Sequence, residues 1–209
     1  EPHRLYVFLM LNRQLNTLSS TLKRGFTLIE LIVGMAIIGI LLAIGVPGLS
    51  QFTVKMRVDN EISEIHRILF IARNTAINTG QYVTVCPLSG KNCQTTNWHQ
   101  DLSVFSNEVN TLANAKTFES TLVPASELLI KVKRAAKAGE VVKSTKNAIV
   151  FSPTGKLASP GPVMIKYCPK GYADLSRAVE VSLSGRAYSS EDSDNDSKDE
   201  DRSGTDISC

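Results

Sequence analysis

The chain has 209 residues, 23 Lys and Arg against 20 Asp and Glu, and four cysteines. That length suits one domain plus a membrane segment, and a 43% hydrophobic content provides for a modest core, which excludes a wholly disordered chain. The formal net charge of +3 is unevenly laid out: residues 1–25 carry +3, residues 26–190 carry +6 and residues 191–209 carry −6, so a basic body ends in an acidic tail.

Residues 1–25 read as a leader, with Met10 a plausible start. The run Leu5–Leu11 inside it is too short to cross a bilayer. From Phe26 to Leu49 the only charge is Glu30. This stretch is long enough to span the hydrocarbon core, which needs about 20 residues as a helix. A carboxylate near the start of such a segment costs about 2.5–3.5 kcal/mol at mid-membrane, so it marks a functional site and requires a partner. Lys23 and Arg24 stand directly before the span, and the positive-inside rule puts that end in the cytoplasm. A Sec signal cut after Ala43-Ile44-Gly45 is the competing assignment, and it leaves Glu30 unexplained.

Pro47 predicts a kink or a melted turn near Gly45–Gly48. Beyond it Met56, Ile62, Ile65, Leu69, Ala72 and Ala76 recur at helical spacing, which predicts an amphipathic helix over 50–80 ending at Gly80. The period then becomes that of strands. Tyr82–Cys86, Leu102–Phe105, Leu128–Val132, Ala148–Phe151, Val163–Cys168 and Val179–Leu183 are rich in β-branched or aromatic residues. Ser152-Pro-Thr-Gly155, Ser159-Pro-Gly-Pro162 and Ser184-Gly185 supply turns. The expected fold is α+β, with a long N-terminal transmembrane and amphipathic helix packed on an antiparallel β-sheet head over 81–190 and an acidic tail over 191–209.

Lys23-Arg24-Gly25 followed by Phe26-Thr-Leu-Ile-Glu30 resembles the class III signal of type IV pilins and pseudopilins. The resemblance implies that a prepilin peptidase cuts after Gly25 and methylates the new N-terminus at Phe26. Glu30 is then the fifth mature residue, where the family has a Glu held to neutralise the N-terminal amine of a neighbouring subunit. Pro47 falls where pilins carry a helix-disturbing Pro. Val83-Thr-Val-Cys86-Pro87, then Cys93, Trp98 and Val104-Phe105, with Ile149–Gly155 and Val179–Arg186, is similar to the FimT/FimU minor pilins and the related GspH pseudopilins. The similarity covers roughly Gly25 to Arg186.

Cys86 and Cys93 flank Pro87 and Gly90, which reads as a short disulfide loop. Cys168 would then pair with Cys209, or both remain free thiols. A zinc site drawing on Cys86, Cys93, His99 and Cys168 is the alternative, weakened by the absence of a CxxC pair. No Ser/His/Asp or Cys/His arrangement has a coherent context and no phosphate-binding Gly loop occurs, so neither an enzyme, a cofactor nor a small-molecule substrate is expected. His66 reads as an ordinary helix-surface or boundary residue. Some FimT-type pilins are held to bind DNA through a Gly-Arg-x-Arg pattern. Gly185-Arg186-Ala187-Tyr188 matches only the first Arg, and the acidic run after it would repel phosphate. Lys131, Lys133, Arg134 and Lys137 form a second basic cluster, a DNA candidate whose bland reading is a solvated strand end. Asp192, Asp194 and Asp196 have the alternate spacing of a calcium loop, yet the twelfth position is Ser203 rather than Glu, which excludes an EF-hand and leaves a looser calcium site against a solvated acidic run.

The expected function is that of a minor pilin incorporated into a type IV pilus at the initiation or tip complex. The implied partners are prepilin peptidase, other minor and major pilins and the inner-membrane assembly platform. The expected location is the inner membrane, single-pass, with a periplasmic head. A GspH-like minor pseudopilin of type II secretion and a DNA-binding pilin for transformation are the alternatives.

Overall fold

The computed structural model describes residues 25–94, 97–107 and 128–209. Residues 1–24 of the expected leader over 1–25, with Met10 and the Leu5–Leu11 run, lie outside the described residues, as do the side chains of Val46 and Pro47. Helix α1 spans Leu28–Thr79, and among the described residues nine strands follow: β1 Tyr82–Ser89, β2 Asn92–Cys93, β3 Leu102–Asn107, β4 Leu129–Lys133, β5 Val141–Ser144, β6 Ile149–Phe151, β7 Val163–Cys168, β8 Arg177–Val181 and β9 Ala187–Ser189. The chain forms two compact units that meet at Pro47 and Gly48.

The first unit holds the apolar half of α1. Leu28–Gly45 has a mean hydropathy of 2.6 and buries none of its residues. Leu28, Ile29, Met35, Ile40, Leu41 and Ile44 are each more than 60% exposed, which in water would be a severe loss of hydrophobic free energy and in lipid is none. The expected melted turn is not there: α1 is helical throughout Gly45–Gly48. Pro47 forfeits one backbone donor, and a helix that propagates from both sides of it survives that single loss.

In the second unit α1 lays one stripe on the sheets. Val54, Val58, Ile62, Ile65, Ile68, Leu69, Ala72 and Ala76 are all buried, at three- and four-residue spacing. Met56, expected on this stripe, is 55% exposed, because Val54 and Val58 occupy the core-facing positions on either side of it. The small side chains of Ala72 and Ala76 bring the helix close to the sheet before it stops at Gly80. That residue takes the left-handed conformation, φ +69°, and donates back to Ala76 O at 3.0 Å, a glycine helix end.

Two antiparallel sheets meet this stripe. The first has the order β2-β1-β3-β4 with β6 also on β1, and the second has the order β5-β7-β8-β9. Val83 and Val85 of β1, Val104 of β3, Ile149 and Phe151 of β6, Val163, Ile165 and Tyr167 of β7, and Val179 and Val181 of β8 join the helix in one core with Trp98. Alternation puts Cys86, Phe105 and Val150 in a second, smaller cluster with Ala148. Strands β5 and β9, of four and three residues, were not expected, and β8 begins and ends two residues earlier than the periodicity implied.

Residues 191–209 are mostly exposed, yet they form a folded segment rather than a disordered run. Glu191 bridges Glu200, Glu200 bridges Asp206, and Asp199, Glu200 and Ile207 are buried. The segment folds back on the second sheet because Cys209 is bonded to Cys168 of β7 and because Lys143 and Lys166 donate to the carbonyls of Cys209 and Ser208.

Candidate functional site

The segment expected to be processed is open. Gly25 and Phe26 precede α1, and Phe26 is 81% exposed. Thr27 begins the helix as its N-cap. Its backbone N–H and its hydroxyl both donate to Glu30 Oε2 at 3.1 Å, while Glu30 N–H donates to Thr27 Oγ1 at 3.2 Å. This is a reciprocal capping box. Glu30 thus has a local role that a reading centred on its intramembrane charge overlooked, although Thr27-x-x-Glu30 was visible in the sequence. The cap uses one carboxylate oxygen, Oε2, and leaves the side chain exposed, one turn from Phe26.

The head is fastened to its part of α1 by ion pairs as well as by apolar packing. Arg57 donates to Glu140 Oε1 at 2.6 Å, and the buried Tyr167 hydroxyl donates to Glu140 Oε2. The Glu140 side chain is 2% exposed, so both oxygens depend on these partners. Burial and the bond to Glu140 raise the Tyr167 phenol well above its ordinary value, and the bond to Glu140 raises the Arg57 guanidinium. Arg177 of β8 joins Asp59 of α1 to Asp199 of the acidic segment. His66 Nε2 sits 3.1 Å from Ala187 O, at the half-buried boundary.

The cysteines form two disulfides, Cys86–Cys93 and Cys168–Cys209. Neither pair is present as thiolates, which zinc coordination by Cys86, Cys93 and Cys168 would need, nor are Cys168 and Cys209 free.

The basic candidates do not form one surface. Lys131 and Arg134 are exposed at β4, at the edge of the first sheet, with Lys137 further along the loop, whereas Arg186 is exposed in the β8–β9 turn of the second sheet. Lys133 is removed from the set. Its side chain is 4% exposed, its ammonium lies 2.6 Å from Glu61 Oε2, and it donates to Arg134 O at 3.0 Å. An ammonium so enclosed cannot meet a phosphate. The second position of the Gly-Arg-x-Arg pattern, Tyr188, lies under the guanidinium of Arg202, 4.2 Å from the ring centre. Gly185 has a packing role: at φ +76° a Cβ there would strike Gly155 O, to which Arg73 Nε donates at 3.0 Å.

An apolar helix of membrane-crossing length, capped by Thr27 and Glu30 and continuing into an antiparallel β head, defines a type IV pilin-like protein. The prokaryotic N-terminal methylation motif matches residues 21–46. The sequence pattern of the Type II transport protein GspH matches residues 61–185, and the chain belongs to the GspH family. A fimbrial protein of Pseudomonas aeruginosa is 36% identical over 62 residues, 30% of this chain and 40% of that protein. The type IV major fimbrial protein FimA of Dichelobacter nodosus is 39% identical over 71 residues, 34% of this chain and 38% of that protein. The chain thus spans about two fifths of the length of the curated relatives it matches. Among solved structures, the type IV minor pilin FimU of Pseudomonas aeruginosa superposes with a TM-score of 0.48 at 19% identity, over 66% of this chain and 90% of that one.

Proposed function

We propose that the protein is a minor subunit of a type IV pilus, anchored in the inner membrane through Leu28–Gly45 with its N-terminus cytoplasmic and its head periplasmic. Prepilin peptidase cuts between Gly25 and Phe26 and methylates the Phe26 amine. The shortened chain enters the initiation complex at the filament tip with other minor and major pilins on the inner-membrane platform. Glu30 directs docking by pairing with the amine of a neighbouring subunit, and Pro47 marks the end of the buried span. The role is assembly, and the head presents surfaces to neighbouring subunits rather than carrying out a reaction.

One observation carries this reading: within Phe26–Leu49 the sole charge is Glu30, four residues after the Phe that follows Gly25. The capping box supports it, since an oxygen bonded to the first turn is held near the new chain end. The substitution Gly25→Glu is expected to block maturation, read as retention of the full-length leader on a gel of the membrane fraction. Processing of that variant at the wild-type level would contradict the proposal.

The family match to a type II transport protein favours a second reading, a minor pseudopilin of a type II secretion system. Deleting the gene separates the two. Loss of surface filaments with secretion intact supports the pilus, and loss of secretion with filaments intact supports the pseudopilus.

A further inference from the structure

We propose that the acidic segment following β9 is a calcium site built by Asp192, Asp194, Asp196 and Glu200. These four carboxylates each place one oxygen so that all lie within 4.8 Å of one another. Two oxygens on opposite sides of a calcium ion, each at 2.3–2.6 Å, stand about 4.6–5.2 Å apart, so the set can close on one such ion. Magnesium, at 2.0–2.1 Å, would need opposing oxygens about 4.0–4.2 Å apart and near-ideal octahedral geometry. The all-oxygen donor set also disfavours zinc.

Exposed acidic clusters are common without an ion, and three of these residues are exposed. Glu200 is the independent observation. It is 5% exposed, its Oε2 accepts from Ser193 N–H at 2.6 Å, and its Oε1 is buried with no hydrogen-bond partner among the described residues. A buried carboxylate with one unpaired oxygen, grouped with three further carboxylates, is unfavourable unless a cation completes the group. The aspartates hold the shape of the loop with one oxygen each: Asp192 accepts from Ser197 N–H, Asp194 from Asp196 N–H and Asp196 from Lys198 N–H. Each keeps a second oxygen for the ion. Lys198 Nζ, 3.7 Å from Asp196 Oδ2 and 3.3 Å from Asp206 Oδ2, is the competing cation. Its side chain is 41% exposed, so it can swing aside.

The ligand spacing is D-x-D-x-D-x-x-x-E, with the Glu at the ninth position rather than the twelfth. This is not an EF-hand, and water and backbone carbonyls would supply the remaining ligands of a 6–8-coordinate ion. Bound there, the ion would brace a segment already held by the Glu191–Glu200 bridge and by Cys168–Cys209.

The test is calorimetric titration of the full chain in detergent micelles, stripped with EDTA, with calcium chloride and separately with magnesium chloride. One calcium per chain with a dissociation constant of about 1 mM or tighter is expected. Asp194→Asn, an exposed change that leaves the fold intact, and Glu200→Gln should each weaken binding at least tenfold. Calcium should also raise the unfolding temperature of the wild type, followed by the fluorescence of the single Trp98, and not that of Asp194→Asn. No heat up to about 10 mM calcium, equal binding by Asp194→Asn, or an equal response to magnesium would each overturn the proposal.

Discussion

Tyr167→Phe isolates the polar centre of the head. The phenol is fully buried and donates to Glu140 Oε2, while Arg57 holds Oε1 at 2.6 Å. A hydrogen bond to a charged group contributes about 1.5–3 kcal/mol. Because the Glu140 side chain is 2% exposed, water cannot replace the lost donor, and the upper half of that range is expected at pH 8. The same bond creates a pH signature. The phenol ionises at 10.0 when unfolded and well above that when folded, through burial first and the bond to Glu140 second. A raised value means that the folded state keeps a proton the unfolded state releases, so the stability is complete below pH 10 and declines as pH rises above it. At pH 11 the wild type should have lost about 1.4 kcal/mol through this residue alone, and Tyr167→Phe none. Urea unfolding of the chain in detergent, followed by the fluorescence of buried Trp98, measures both. The reasoning is refuted if the variant lies within about 0.5 kcal/mol of wild type at pH 8, or if the gap between them stays constant from pH 8 to pH 11.

Three other outcomes follow from the geometry. Serine at Cys168 and Cys209 should destabilise the head by about 4 kcal/mol and serine at Cys86 and Cys93 by about 2.4 kcal/mol, because the closed loops span 41 and 7 positions, read in the same urea experiment. Gly185→Ala should lower stability by more than about 2 kcal/mol, since it adds a collision with the Gly155 carbonyl to the strain of a positive φ; a loss below about 0.5 kcal/mol would remove the packing role from that turn. Thr27→Ala should weaken the first turn of α1 by about 1 kcal/mol and leave assembly intact, whereas Glu30→Ala should abolish recovery in the sheared filament fraction; equal loss from both would assign Glu30 to helix capping alone.

Much of the fold was legible because local signals agreed with it. The helix end at Gly80 and the strand cores at Val83–Cys86, Val104–Phe105, Ile149–Phe151 and Val163–Cys168 follow from period and punctuation alone. Strands β5 and β9 were not, since Val141–Ser144 and Ala187–Ser189 are too short to show a period and form by pairing with β7 and β8. Met56 misled because a Met counts as apolar in any register, while the packed face passes through Val54 and Val58. Glu140 follows a glycine in a lysine-rich stretch and reads as solvated; its partner Arg57 lies 83 positions away, and nothing local reveals that. The same limit hid Lys133, whose charge is matched by Glu61 on the helix. In the acidic segment the spacing of the three aspartates was visible. Glu200 stands at the ninth position, outside the twelfth-position pattern of a calcium loop, and its burial is a tertiary feature of a segment tied to β7 by Cys168–Cys209.

The measurement that bears most directly on the central claim is mass spectrometry of the N-terminal peptide from the membrane fraction. The expected result is a mature chain beginning with N-methylated Phe26, with Glu30 fifth. A chain beginning at Val46, or one that keeps residues 1–25, would contradict it and turn Phe26–Leu49 into a signal or a plain anchor.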